Sequence, residues 1–227
     1  MNLFCWHANK FKCCGITLCK VKNTAKGVRV YLLGIPLCVV RTKLSQFFTE
    51  VKNNRDFDVR RFDAQISEMV AGQKTVKCRS DKHKIAFLAT ALYDMGGHTK
   101  CIRDLAMSLS DCYEEALFLT RMTETMKKAP ETVCVLKQHL TIINADISSW
   151  SFRKKVTAFA NNIIRYGMKT LLVYIHPDDV FGTAVLSLIK RMTSVKIIYF
   201  NHASHFPCLG MSFADIILEG MPSTKKI

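Results

Sequence analysis

A glycine-rich turn that carries a histidine is the first group of residues that could do chemistry. Residues 93–99 read Tyr-Asp-Met-Gly-Gly-His-Thr, between an apolar run and a run with helical spacing. Gly96 and Gly97 allow a tight turn and a close backbone approach, and exposed amides at a helix start favour an anion such as phosphate. The turn matches neither the dinucleotide fingerprint nor the Walker loop. It also fits an ordinary strand-to-helix turn that Thr99 caps.

Two other groups place histidines directly after apolar runs. Residues 176–179 read His-Pro-Asp-Asp, and residues 201–205 read Asn-His-Ala-Ser-His. A proline turn followed by capping aspartates explains the first group apart from His176 itself. His202 and His205 could transfer protons, bind sugar hydroxyls or ligate a metal, or they could be hydrogen-bonded loop residues. A metal site needs a third ligand, and the sequence shows none nearby, so we predict no metal.

The elements that position these groups alternate between strands and helices from residue 81 onward. Helical spacing of apolar residues is seen after residue 101, after 151 and after 179, where Asp178 or Asp179 can cap the helix. This alternation predicts an α/β fold with a Rossmann-like parallel sheet and helices on both faces. The predicted strands are Ile85–Ala89, Ala116–Leu119, Val133–Leu136, Thr141–Asn144, Leu171–Ile175, Val195–Phe200 and Ala214–Leu218.

All three groups follow a predicted strand, which favours one shared site. In open parallel sheets, ligands bind beyond the carboxyl ends of the strands. The sequence therefore predicts that Gly97, His176 and His202 lie on one edge of a single sheet.

Residues 1–80 read as a basic extension that is mainly β. Short β-branched runs at Ile16–Val21, Val28–Leu33 and Leu37–Arg41 predict a small antiparallel sheet. Further on, Phe57, Phe62, Ile66, Met69 and Val70 have helical spacing. We therefore divide the chain into an extension, 1–80, and a Rossmann-like domain, 81–227.

The charge of the chain limits its partners and its location. The formal net charge is +15, and residues 1–49 contain eight Lys and Arg but no acid. Such a segment attracts nucleic acid, an anionic membrane or a phosphorylated glycan, or it is simply a solvated basic face. Ten cysteines without a secretory signal fit the reducing cytoplasm. Because no apolar run is long enough to span a bilayer, we expect a cytoplasmic protein that is at most peripheral to the membrane.

The stretch from Lys84 to Glu219 resembles the N-terminal domain of retaining bacterial glycosyltransferases with the two-domain GT-B fold. These enzymes build lipopolysaccharide, capsule and other surface glycans. Three signatures carry the resemblance: residues 94–99, residues 175–179, and residues 201–205 followed by Leu-Gly and Ala-Asp. A segment at residues 30–37 is similar to an N-terminal element of some surface-polysaccharide transferases.

The resemblance implies roles for the residues of these signatures. The Gly96–Gly97–His98 loop would lie beside the diphosphate of a nucleotide-sugar donor, and the histidines at the strand ends would face a glycan or lipid-linked acceptor. The predicted catalytic residues are accordingly His98, His176 and His202, and no cofactor is expected. The predicted substrate-binding residues are Gly96, Gly97, Thr99, Asp178, Asn201 and His205.

The sequence departs from the family at two points. Ser204 stands where the family usually has an aspartate, and Pro207 and Cys208 stand where it has aromatic residues. The family also needs a second α/β domain that binds most of the donor, so the resemblance implies a truncated product or half of a split enzyme, inactive alone. One alternative is a non-enzymatic basic module that binds anionic membrane or nucleic acid, with nucleic acid disfavoured. Another is a sugar-nucleotide epimerase or other nucleotide-binding enzyme of similar architecture.

Overall fold

The computed structural model describes residues 4–7, 10–13, 16–24, 27–32, 35–40, 50, 58–144, 151–203 and 206–219. The chain forms two compact units, Met1–Arg55 and Asp56–Ile227. Residues 56–80, which the sequence analysis placed with the extension, therefore belong with the sheet domain.

The first unit contains a five-stranded antiparallel sheet with the strands in chain order. Its strands are β1 (Phe4–His7), β2 (Lys10–Cys13), β3 (Ile16–Thr24), β4 (Gly27–Leu32) and β5 (Ile35–Val40). Each strand pairs with the next one, and the register shifts at Phe11/Lys12 and at Val30/Tyr31. The predicted small, mainly β extension is confirmed.

The second unit is built on a six-stranded sheet in which every pair of neighbours is parallel. Its strands are β6 (Asp81–Ala89), β7 (Glu114–Leu119), β8 (Thr141–Asn144), β9 (Met168–Tyr174), β10 (Lys196–Asn201) and β11 (Ile216–Glu219). Across the sheet the order is β8-β7-β6-β9-β10-β11. Counted within the sheet, this is the order 3-2-1-4-5-6 of a Rossmann-type domain.

Helices connect and cover these strands. They are α1 (Arg60–Met69), α2 (Gly97–Leu109), α3 (Met122–Lys128), α4 (Pro130–Leu136), α5 (Phe152–Tyr166) and α6 (Val180–Met192). A short 3₁₀ turn, Met211–Phe213, precedes β11. None of the helices in the described residues combines the length and the apolarity that crossing a membrane requires.

The core lies on both faces of the sheet. Side chains alternate between the faces along each strand, so Phe87 and Leu117 pack with Ile102 of α2 on one face. On the other face, Phe118 packs edge-to-face against Phe159 of α5, with ring centroids 5.9 Å apart. Helices on both faces confirm the predicted fold class.

The prediction of a strand at Val133–Leu136 was wrong, because these residues form the second half of α4. Pro130 occupies the first turn of this helix, where its fixed φ angle and missing N–H are tolerated. Val133 and Leu136 are both buried, which is the spacing of one helical face. A short apolar run does not by itself distinguish a strand from a helix.

A buried carboxylate of α1 fixes this helix against the rest of the sheet domain. Asp63 is fully buried, and its oxygens accept hydrogen bonds from the amide of Gly210 at 2.7 Å and from the hydroxyl of Ser212 at 2.6 Å. Gly210 has φ +90°, a left-handed conformation that favours glycine. Burial raises the pKa of Asp63.

We expect Asp63→Asn to lower the free energy of unfolding by about 2 kcal/mol, because an amide has only one acceptor oxygen for these donors. Urea denaturation followed by circular dichroism measures the change. Glu68→Gln, at an exposed position of the same helix, should leave the midpoint unchanged. Equal midpoints for the two variants would show that the Asp63 contacts contribute nothing.

Candidate functional site

The predicted catalytic histidines meet at the carboxyl edge of the parallel sheet. The ring centroids of His98 and His202 lie 5.0 Å apart, those of His98 and His176 lie 5.8 Å apart, and those of His176 and His202 lie 6.3 Å apart. Tyr93 completes the group, since its ring stacks on His176 at 5.7 Å. We call these four residues the ring cluster.

The strand order explains why the ring cluster forms. The connections from β6 and β9 leave in opposite directions at the centre of the sheet, which opens a crevice between the two strand ends. Tyr93 and His98 follow β6, His176 follows β9, and His202 is the first residue after β10. The three strands are neighbours, so their ends bring these side chains together.

A buried carboxylate, that of Asp179, connects the strand ends that form the crevice. Asp179 is almost fully buried, and its Oδ2 accepts hydrogen bonds from the hydroxyls of Thr90 at 2.6 Å and of Thr120 at 2.7 Å. Its Oδ1 caps α6 by accepting from the amide of Gly182 at 2.9 Å. Thr90 in turn accepts from the amide of His176 at 2.7 Å. One side chain therefore links the ends of β6, β7 and β9, and sets the position of His176.

Glycine is required at position 182 for this arrangement. A Cβ there would lie 3.0 Å from Oδ2 of Asp179 and 3.0 Å from Cγ2 of Ile175. The close approach lets the first turn of α6 close around the carboxylate.

The turn before α2 is held by one side-chain and one main-chain hydrogen bond. The hydroxyl of Thr99 accepts from the amide of Tyr93 at 2.9 Å, and the carbonyl of Tyr93 accepts from the amide of Gly96 at 2.8 Å. Gly96 is the N-cap of α2, and no described side chain caps this helix end. The first amides of α2 therefore have no acceptor within the helix. They are available to an anion.

Hydrogen bonds to main-chain carbonyls show which ring nitrogen of His98 and of His202 carries the hydrogen. Nε2 of His98 lies 3.1 Å from the carbonyl of Ala91, so it carries the hydrogen and Nδ1 remains an acceptor. Nδ1 of His202 lies 3.3 Å from the carbonyl of Phe200, which leaves Nε2 as the acceptor. Each imidazole thus offers one unprotonated nitrogen to a ligand.

The environment keeps these two histidines uncharged. Burial lowers the pKa of His98, and the nearby His176 acts in the same direction. Burial and repulsion from His98 lower the pKa of His202 to about 4, although part of that residue is exposed. At neutral pH both rings accept hydrogen bonds and carry no charge.

The three imidazole rings of the cluster differ in orientation. The rings of His98 and His202 lie 26° from parallel, whereas those of His98 and His176 lie 84° from parallel. No group of three potential ligands in the described part of the chain is placed to hold a metal ion.

Other predicted binding residues have different positions. Asn201 is buried, its amide donates to Glu219 at 3.0 Å, and its carbonyl accepts from the thiol of Cys208 at 3.2 Å. Binding a ligand through Asn201 would require these bonds to break. Asp178 is half-buried, and the cap of α6 is its neighbour Asp179. Ser204 and His205 lie outside the described residues.

Sequence reasoning placed Tyr93 in the glycine-rich turn but gave it no role, and it missed Thr90 and Thr120. Tyr93 donates from its hydroxyl to Glu124 at 2.7 Å, and burial together with this contact raises its pKa to about 12. The two threonines each follow the last residue of a buried strand. Their position directly after a predicted strand could have identified them as residues of the site.

The fold and the site define a Rossmann-like α/β domain with a histidine-lined crevice at its switch point. When the chain is compared with models of known protein families and with curated proteins, it matches none of them.

Proposed function

We propose that this chain is the acceptor-side, N-terminal domain of a GT-B-type glycosyltransferase. In this proposal the enzyme moves a sugar from a nucleotide-sugar donor to a hydroxyl group of a cell-surface glycan or a lipid-linked acceptor. One observation carries the proposal: the uncapped start of α2 and three histidines meet at the switch point of one parallel sheet. The resemblance of the three signatures supplies the reaction class.

The chemistry of the crevice supports this assignment. An uncapped helix start favours the charge of a diphosphate, because the amides of its first turn and the helix dipole both attract anions. Uncharged imidazoles accept hydrogen bonds from hydroxyl groups, and sugars present many of these. The sugar–phosphate bond breaks with its electron pair leaving on the diphosphate. The acceptor oxygen forms the new bond to the sugar carbon, and its proton passes to an oxygen of the departing diphosphate. Positioning and charge stabilisation at the diphosphate are the contributions expected of these residues.

The Gly97→Ala variant tests this proposal. A Cβ at Gly97 meets no atom within 4 Å, and the residue does not have a positive φ angle, so the free energy of unfolding should change by less than about 0.5 kcal/mol. The added methyl group projects into the space at the helix start. We expect it to weaken the binding of UDP, GDP or ADP, whichever binds, by about tenfold. Calorimetric titration measures binding, and NMR of the histidine rings locates it.

Ser108→Ala, at an exposed position of the same helix, is the control and should bind like the parent chain. Because the proposal assigns most nucleotide contacts to a second domain, the titration is carried to millimolar nucleoside diphosphate. The proposal fails if no nucleoside diphosphate perturbs the ring signals of His98 at that concentration, or if Gly97→Ala binds as tightly as the control.

The predicted contact of residues 1–49 with an anionic membrane surface, and the cytoplasmic location, stay predictions. The proposed enzyme would bind most of its donor nucleotide through a second α/β domain, as the resemblance implies.

A further inference from the structure

A groove of about 750 Å³ lies at the amino edge of the same sheet, opposite the ring cluster. Its walls are formed where β6 and β9 begin and where α5 ends. From Lys169 on this edge to His176 on the other, β9 and its exit extend about 20 Å at the usual rise per residue. The groove and the ring cluster are therefore separate places on the sheet domain.

Backbone contacts hold the floor of the groove. Gly167 ends α5 with φ +77°, and its carbonyl accepts from the amide of Asp81 at 2.6 Å. A Cβ at Gly167 would lie 3.0 Å from the carbonyl oxygen of Arg79. The strand start and the helix end are thus fixed against one another by main-chain groups.

Five cationic side chains line the groove, together with one acidic residue, Asp81. The Asp81 carboxylate accepts from the amide of His83 at 2.9 Å. The cations are Arg79, Lys82, Lys84, Arg165 and Lys169.

Most of this positive charge has no neutralising carboxylate among the residues that the structure describes. Of the five cations, only Lys84 has a carboxylate at ion-pair distance in the described residues, namely Glu114 at 3.0 Å. Lys84 also lies over the ring of Tyr166, 5.0 Å from its centroid. Clustered like charges repel one another, and a bound anion removes this cost.

We propose that the groove is a second binding site of the protein, specific for a ligand that carries several phosphate charges. Two arginines favour phosphate, because the guanidinium group offers paired donors that match phosphate oxygens. A concave groove of this size can surround a small ligand, such as a polyphosphate group or a phosphorylated headgroup. The site is distinct from the diphosphate position proposed at the start of α2.

The double variant Arg79→Gln/Arg165→Gln tests this inference in the full chain. Both side chains are exposed, so the fold should be retained. Inorganic triphosphate is the soluble probe, titrated by calorimetry at low and at high salt. We expect the double variant to bind triphosphate at least about tenfold more weakly than the parent, and the parent to bind more weakly at high salt.

A matched control removes the same charge elsewhere. The control is Lys127→Gln/Lys137→Gln. Lys127 lies in α3 and Lys137 directly follows α4, and both are exposed. This variant should bind triphosphate like the parent. A second arm uses phosphatidylcholine vesicles that contain phosphatidylinositol bisphosphate. Binding of vesicles but not triphosphate, lost in the arginine variant, identifies a lipid headgroup as the source of the phosphates.

Three results would overturn the inference. One is that neither triphosphate nor the vesicles bind the parent chain. Another is that the arginine variant and the lysine control lose binding equally, which would mean that net charge alone decides. The third is that Gly97→Ala abolishes triphosphate binding while the arginine variant keeps it, which would place the anion at α2.

Discussion

Replacing Asp179 by alanine is expected to lower the free energy of unfolding by about 4 kcal/mol. The substitution removes the acceptor of the Thr90 and Thr120 hydroxyls and the cap of α6. A buried donor that is left without a partner, as for Thr90, costs about 1–3 kcal/mol, and the half-buried Thr120 should cost less. A lost N-cap costs about 1 kcal/mol. Urea denaturation of both proteins measures the difference.

Asp178→Ala is the matched control, because it removes the same charge one residue earlier. It should cost less than about 1 kcal/mol, since Asp179 provides the cap. Asp179→Asn keeps a capping oxygen and should fall between the two, which allows a measurement if the alanine variant does not fold. Similar losses for Asp178→Ala and Asp179→Ala would contradict the role assigned to the buried carboxylate.

Replacing Glu115 by methionine should instead stabilise the protein, by about 2–3 kcal/mol at pH 8. Glu115 is 4% exposed, and both carboxylate oxygens are buried without a hydrogen-bond partner in the described residues. Burial raises its pKa to about 7 from an ordinary value of 4.5. With allowance for solvent screening, holding this group ionised above pH 7 therefore costs on the order of 2 kcal/mol.

The sign of the pH dependence follows from proton binding. Between pH 4.5 and about pH 7 the folded protein holds a proton that the unfolded chain has released, so stability falls as the pH rises through this range. The advantage of Glu115→Met should thus be largest at pH 8 and small at pH 4. Glu114→Met, at the exposed neighbour, should show no such pH dependence. An equal gain at both pH values would refute the explanation.

The sheet could be predicted from the sequence because its strands are short apolar runs separated by helical spacing. Thr141–Asn144 was predicted with the bounds that the structure shows. The helix at α1 was also found, with Phe62, Ile66 and Val70 buried, whereas Met69 is exposed and Phe57 lies outside the described residues. Val133–Leu136 could not be assigned correctly, since four residues hold too little periodicity.

The site was only partly predictable. The sequence predicted that the histidines lie together, because the carboxyl ends of parallel strands lie at the same edge of a sheet. The hydrogen bonds from Thr90 and Thr120 to Asp179 join residues 59 to 89 positions apart, and no local pattern reports such contacts. The groove at Arg79 and Arg165 was missed for the same reason, because its cations are distant in sequence.

The register of the central strands restricts how relatives of this chain can diverge. Ala89 lies beside Tyr174, and Val173 lies beside Tyr199, so β6, β9 and β10 end at nearly the same level. One residue inserted or deleted within one of these strands shifts the following histidine by about 3.3 Å. It also moves the side chains of that strand to the opposite face of the sheet. Evolutionary changes of length that preserve the crevice must therefore fall outside these three strands.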